Sequence, residues 1–246
     1  MPAAAPLISV VIPCYNHGHF LRDALESVGT PARTTEIVVV DDGSTDRTSA
    51  IAAEFGAAAA IAVYAVRQPN KGLAAARNRG FRESRGRYVV FLDADDRLAP
   101  GALDRAASVI DEHPECFFVF GRCVMMSAEG TLLPTPEQKV IARDHYRELL
   151  RRNFIWMPAM AMFRREAVEL AGGFSSEVNA SADYELYLRI ARHHPVRDHG
   201  QVVAHYRRHD SNMSGNASLM LRETLAVLRS QRPFLEGDAA SQAAYR

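Results

Sequence analysis

Residues 9–16 read Ser9-Val10-Val11-Ile12-Pro13-Cys14-Tyr15-Asn16, a run of β-branched side chains that breaks at a proline. An unbroken apolar run of this kind suits a strand covered on both faces, as in a parallel sheet. Four such runs occur in the first hundred residues: Leu7–Ile12, Glu36–Val40, Ile61–Val66 and Arg87–Leu92. Between them, Phe20–Val28, Thr45–Phe55 and Gly72–Ser84 have helical spacing, with Leu21, Leu25 and Val28 at i, i+4 and i+7. The alternation predicts an α/β fold, an open and mostly parallel sheet with right-handed crossovers and helices on both faces.

After Asp96 the pattern changes. Pro100 suits the first turn of a helix running to about Glu112. Cys116–Met126 reads as a strand, Gly130–Gln138 as a Pro-containing loop, Arg143–Arg152 as a helix and Pro158–Phe163 as a strand. Arg164–Leu170 reads as a short helix closed by Gly172-Gly173, a glycine C-cap. Tyr184–His193 is a helix stopped by Pro195, Val196–Ala204 a strand, and Ala217–Leu228 an amphipathic outer helix. With no repeat or linker between the halves, 246 residues at about 150 per domain read as one domain. Residues 7–98 and 99–214 form its two functional halves, and 215–246 a helical tail.

Composition narrows the function. Lys plus Arg and Asp plus Glu are 29 each, so the chain is formally neutral, which argues against charge-driven binding to nucleic acid or anionic lipid. The longest apolar run, Gly56–Val66, falls short of the ~18 residues of a membrane span, so no integral membrane segment is expected. The amino terminus has no basic residue before Arg22 and lacks the charged start of a signal peptide. Cys14, Cys116 and Cys123 are an odd number without metal-ligand spacing, consistent with a reduced, cytoplasmic protein.

Open α/β sheets bind ligands beyond the carboxyl ends of their strands. Here those ends read Asp41-Asp42-Gly43-Ser44-Thr45-Asp46 and Asp93-Ala94-Asp95-Asp96. In the first, Gly43 permits a turn, Ser44 or Thr45 can cap the next helix, and Asp46 favours its positive end. Capping leaves Asp41 and Asp42 unexplained, and a carboxylate there can accept from a nucleobase N–H or a ribose hydroxyl. In the second, alternation along an extended strand end puts Asp93 and Asp95 on one side. Two such carboxylates can hold Mg²⁺ or Mn²⁺ together with substrate phosphates. A cap for the following helix accounts for one of the three aspartates only.

Gly72–Gly80 is rich in small residues that let its helix approach the sheet closely. Its Arg77 can reach a phosphate or base, or pair with a neighbouring aspartate. Position alone makes Asp183 an N-cap. Five of nine histidines fall between His193 and His209, and the strip His205–Ser214 complements the acidic strand ends. Trp156, the only tryptophan, is either core or a stacking surface, and acceptor choice is expected around Thr131–Lys139 and Asn153–Met162.

Taken in order, these motifs resemble the family 2 glycosyltransferases of the GT-A fold. The resemblance extends through Phe163-Arg164-Arg165, Gly172-Gly173-Phe174, Ala182-Asp183 and Tyr206-Arg207-Arg208-His209, covering residues 7 to about 214. It implies a metal-dependent inverting transfer from a nucleotide-sugar donor, with uracil the favoured base. The acceptor would be a hydroxyl of a glycan, lipid-linked or small-molecule compound. Pro13, Tyr15, Asp42, Arg77, Asp93 and Ala94 match donor-binding positions, with Asp42 on the base and Asp93 towards the ribose. Asp95 and His209 match the metal and diphosphate positions, implying Mn²⁺ or Mg²⁺, and Asp183 matches the general base. Ala182 stands where the family carries a glutamate beside that base. Two other classes stay open: a non-catalytic nucleotide-sugar or glycan binder of the same fold, and a nucleotidyltransferase. A P-loop enzyme is excluded by the lack of a G-x-x-x-x-G-K-[ST] stretch. A cytoplasmic location, with peripheral contact at the inner membrane face through a lipid-linked acceptor, is the matching expectation.

Overall fold

A computed structural model describes residues 6–178 and 180–246. Strands β1 (Ile8–Cys14), β2 (Thr35–Asp41), β3 (Ala62–Arg67) and β4 (Tyr88–Phe91) alternate with helices α1 (Gly18–Ser27), α2 (Thr48–Ala58) and α3 (Leu73–Glu83). Strand β5 (Arg97–Leu98), helix α4 (Ala102–Glu112), strand β6 (Phe118–Met126) and helix α5 (His145–Arg151) follow. Strand β7 (Ala161–Arg164), helices α6 (Arg165–Leu170) and α7 (Ala182–Ala191), strand β8 (Val196–Arg207), and helices α8 (Ala217–Gln231) and α9 (Ala239–Tyr245) complete the chain.

All eight strands form one sheet in the order β3-β2-β1-β4-β7-β6-β8-β5. The first four are parallel; β7 runs antiparallel to both β4 and β6, and β8 returns parallel to β6. The α/β architecture read from the alternation is therefore present. Every residue of β1 is buried, as its uninterrupted apolar run requires. The third run departs from that reading: β3 is the edge strand and mostly exposed, because among the described residues nothing pairs beyond it.

The glycine stop holds. Gly172 and Gly173 have φ of 75° and 80°, and their N–H groups close on the carbonyls of Glu169 and Val168 at 2.9 Å. Pro100 lies before α4, whose N-cap is Gly101 at φ 69°. Pro158 opens a 3₁₀ turn rather than a strand, so β7 begins at Ala161. α7 starts two residues before Tyr184, and β8 runs three residues beyond Ala204 to Arg207. Two-residue β5, held against β8 at Arg97 and Leu98, is too short to carry a period.

Small residues on α3 do bring it onto the sheet. A Cβ on Gly80 would collide with Val11 Cγ1 and stand 3.0 Å from Val40 Cγ2. Gly80→Val should therefore lower stability by about 1–3 kcal/mol. Gly215→Ala, at a position with nothing nearby, should stay within roughly 0.5 kcal/mol. Urea unfolding followed by circular dichroism measures both.

Candidate active site

Parallel pairing sets the carboxyl ends of β1, β2 and β4 on one edge, with Cys14 opposite Asp41 and Val11 opposite Phe91. The two acidic segments are not on adjacent strands, because β1 runs between β2 and β4.

Asp41 is fully occupied inside its own loop. It accepts from Ser44 N–H at 2.8 Å and from the Ser49 hydroxyl on α2. Helix capping does not account for Asp41, as the sequence indicated; a turn bond and the Ser49 hydroxyl do. Neither Ser44 nor Thr45 caps α2, whose N-cap is Arg47; Asp46 instead ties the starts of α2 and α1 together, accepting from Thr48 N–H at 2.9 Å and Gly18 N–H at 2.8 Å. Asp42 differs: it accepts across the sheet edge from Gln68 Nε2 (2.8 Å), Lys71 N–H (2.9 Å) and Gly72 N–H (2.9 Å). These bonds fix the start of α3 against the tip of β2. The remaining acceptor capacity of Asp42 faces a cavity that Pro13 and half-exposed Tyr15 also line.

Asp93–Asp96 is a turn rather than an extended strand end, closed by Asp96 N–H on the Asp93 carbonyl at 3.0 Å. Its three carboxylates consequently point to three different partners. Asp93 accepts from Arg77 Nη2 at 2.8 and 2.9 Å. Asp95 lies 3.0 Å from His209 Nε2 and 3.9 Å from His17 Nδ1. Asp96 turns inward to accept the Arg207 N–H at 2.8 Å. Burial, with the charges of Asp95 and Asp93 beside it, pushes Asp96 well above the usual carboxylate range. Burial also works against ionised Asp95, but the His209 hydrogen bond and nearby His17 outweigh it and keep that carboxyl below its ordinary value.

Arg77 is only 3% exposed. Its guanidinium lies 5.3 Å over the Phe174 ring and also faces Asp183. Of the two roles open to it, pairing with an aspartate is the one observed. Its Nε, like the hydroxyl of Tyr187, is buried without a hydrogen-bond partner among the described residues.

Asp183 occupies the second position of α7, and the N-cap is Ser181. It is therefore not the cap that its position suggested. Ala180 and Ser181 N–H donate to Glu223 of α8 at 2.5 and 3.0 Å. One oxygen of Asp183 accepts Tyr184 N–H at 2.8 Å; among the described residues the other carries no hydrogen bond. Burial raises Asp183 to about 6, against the opposing pull of Arg77 and the Tyr184 N–H and with some help from Asp93. Ala182 is completely buried and does not face the cavity.

A cavity of about 470 Å³ joins these groups, within the range of small-ligand sites. Pro13, Tyr15, Asp42, Arg77, Asp93, Ala94, Asp95 and Asp183 all reach it. His209 does not line it; its side chain is 6% exposed and meets the cavity through Asp95. Trp156, Met157 and Pro158 form part of the wall. Thr131–Lys139 does not, since it lies along β6 through Leu133 N–H to Met125 and Gln138 to Cys123. Sequence reasoning missed His17, Tyr187 and Glu223. The position of His17, directly after the Tyr15-Asn16 turn, was the available signal for one of them.

Asp95 and His209 offer one carboxylate and one imidazole nitrogen to a divalent cation. Among the described residues no group of three His, Cys, Asp or Glu can hold a metal unaided. An ionised Asp95 with His209 leaves most coordination positions to a ligand's oxygens, as Mg²⁺ and Mn²⁺ prefer.

A family model, Glycosyl transferase family 2, matches residues 9–171. A chondroitin synthase of Escherichia coli is 30% identical over 85% of this chain and 30% of its own length. EpsJ of Bacillus subtilis, an uncharacterised glycosyltransferase, is 28% identical over 68% of this chain and 50% of its own length. The chain thus spans half or less of these two relatives. Among solved structures, S. aureus TarS in complex with UDP-GlcNAc superposes with a TM-score of 0.74 at 21% identity, covering 96% of this chain and 69% of that one. The mannosyltransferase PcManGT of Pyrobaculum calidifontis, in complex with GDP-Man and Mn²⁺, gives 0.72 at 21% identity, covering 99% and 75%. Both likenesses extend over the whole sheet and establish the GT-A fold.

Arg77 and Asp93 make the clearest stability test of this geometry. Arg77→Met should cost on the order of 3 kcal/mol by stripping Asp93 of its bonded cation. Asp93→Leu in the same chain should recover part of that loss in urea unfolding.

Proposed function

The chain belongs to glycosyl transferase family 2, and from that premise we propose that it transfers a sugar from a nucleoside-diphosphate donor to an acceptor hydroxyl with inversion. The observation that carries this is the meeting of Asp42, the Arg77–Asp93 pair, the Asp95–His209 pair and Asp183 around one cavity. Residues 7–98 supply the donor side, and residues 99–214 the acceptor side together with Asp183 and His209. In this reading Pro13, Tyr15 and Asp42 receive the base, and Asp93, Ala94 and Arg77 the ribose and sugar. Uridine diphosphate is the first donor to test, with guanosine diphosphate beside it.

Asp183 acts as general base. Its unbonded oxygen takes the proton from the acceptor hydroxyl while the hydroxyl oxygen attacks the anomeric carbon and the bond to the diphosphate breaks. An ordinary aspartate, near ~3.9, is a weak base; a buried one at about 6 is better matched to proton transfer near neutrality. Asp95 and His209 would hold Mn²⁺ or Mg²⁺, whose charge stabilises the departing diphosphate as a Lewis acid. Trp156 and Pro158, on the cavity wall, offer an apolar and aromatic surface to the acceptor. A glycan, a lipid-linked sugar and a small molecule all present a suitable hydroxyl. No helix among the described residues is long and apolar enough to cross a membrane.

One feature favours a second reading, a binder without turnover: Ala182 replaces the family's glutamate. Release of nucleoside diphosphate from a nucleotide sugar separates the two, and release of pyrophosphate from a triphosphate would instead indicate a nucleotidyltransferase.

Three outcomes follow from the proposal. In a thermal-shift panel of nucleoside diphosphates and their sugars, one base should stabilise selectively and more strongly with Mn²⁺, and Asp95→Ala should remove the Mn²⁺-dependent part. Asp183→Asn should retain nucleotide and Mn²⁺ binding while transfer falls at least ~10²-fold. Because the base must be ionised, transfer should decline roughly tenfold per pH unit below the Asp183 pKa of about 6 and level off above it. A flat profile from pH 5 to 7 in initial-rate measurements would count against Asp183.

A further inference from the structure

Arg207, the last residue of β8, is 1% exposed and heads the fully buried side chains by volume. Its Nε donates to the Asp95 carbonyl at 2.6 Å and its Nη1 to the Ala128 carbonyl at 2.6 Å. Nη2 meets the Asp23 carboxylate on α1, and the guanidinium carbon lies 4.8 Å over the Phe20 ring. Its backbone N–H donates to Asp96 Oδ1 at 2.8 Å. One residue therefore ties together α1, the Asp93–Asp96 turn, the segment after β6 and the end of β8. His209 follows two residues later, with Nε2 3.0 Å from Asp95 Oδ2.

We propose that Arg207 is the positioning residue of the cation site: by gripping the Asp95 peptide from behind, it brings the Asp95 carboxylate and the His209 imidazole to one point. This rests on the reading that the Asp95–His209 pair takes a divalent cation with a diphosphate. Core filling alone does not require a guanidinium, because an apolar side chain of similar volume fills space without the cost of burying a charge. What the guanidinium adds is three donors fixed in one plane, each on a different segment, an arrangement that lysine cannot reproduce. Two of its contacts, through Nε and the backbone N–H, fall on the Asp95-Asp96 turn itself. The contribution expected is pre-organisation of the ligand pair, as for outer partners of metal ligands generally.

The test separates positioning from stability. UDP and GDP are each titrated calorimetrically into the protein in EDTA and in MnCl₂, and the readout is the Mn²⁺-dependent gain in affinity. For Arg207→Lys, folded by circular dichroism, that gain should fall about 10- to 100-fold while affinity in EDTA changes less than about twofold. Arg122→Lys serves as the structural control. Arg122 is another buried arginine, bonded at 2.6 Å to Asp198 and to the Gln138 and Lys139 carbonyls. Its variant should lower the melting temperature and leave the gain intact. If Arg207→Lys does not fold, Asp23→Asn loosens the same guanidinium from its partly exposed end and should cut the gain by at least about threefold. An undiminished gain in whichever variant folds overturns the inference. Absence of any gain in the wild-type protein overturns the cation-site reading itself, and the inference with it.

Discussion

Carboxylates crowded at the edge of a sheet repel one another and lose hydration, so the fold stands only if each finds a donor or a cation of its own. That constraint organises the whole carboxyl edge. Asp41 is absorbed by its loop, Asp42 by the start of α3, Asp93 by Arg77, Asp95 by His209 and Asp96 by Arg207. The partners come from α2, α3 and the end of β8 with the residues after it, so satisfying the acids also fixes the outer elements to the strand tips. A single substitution among them disturbs two elements at once.

The sheet order makes this possible. Antiparallel β7 follows β4, and β6 and β8 follow it, so β8 runs parallel to the first four strands and ends on their carboxyl edge. Had β8 run the other way, Arg207 and His209 would lie at the opposite end of the molecule. Helix α7 brings Asp183 to the same cavity, and Glu223 holds the residues just before it by two backbone N–H groups. The two halves of the chain thus meet at the sheet edge.

The parallel core was legible because β1, β2 and β4 are buried on both faces and so carry uninterrupted β-branched runs. The family pattern pointed to the cavity residues, but spacing alone misjudged two of them. Period-two alternation assumes an extended chain, whereas Asp93–Asp96 turns, so Asp93 and Asp95 face different partners. Strand adjacency cannot be read from order in the chain, which hid β1 between the acidic ends. His17 and Glu223 were invisible for a related reason. Their contacts to Asp95 and to Ala180 and Ser181 span 78 and about 43 positions, and no local period reports such pairings.

Electrostatics also supply a physical reason for the proposed cation. Among the described residues Asp42, Asp93, Asp95, Asp96 and Asp183 all reach the cavity, against one guanidinium, that of Arg77. Two like charges 4 Å apart repel by about 4 kcal/mol at an effective dielectric of 20, so a diphosphate meets opposition there. Arg77 cannot relieve it alone, since its charge is already shared between Asp93 and Asp183. Raising Asp96 well above the ordinary carboxylate range removes part of the repulsion, but Asp95 is held the other way, ionised beside His209. A carboxylate kept charged in the wall of an acidic cavity is a liability for binding an anion unless a cation comes between them. The arrangement is therefore better suited to a donor that arrives with a divalent ion than to a bare diphosphate.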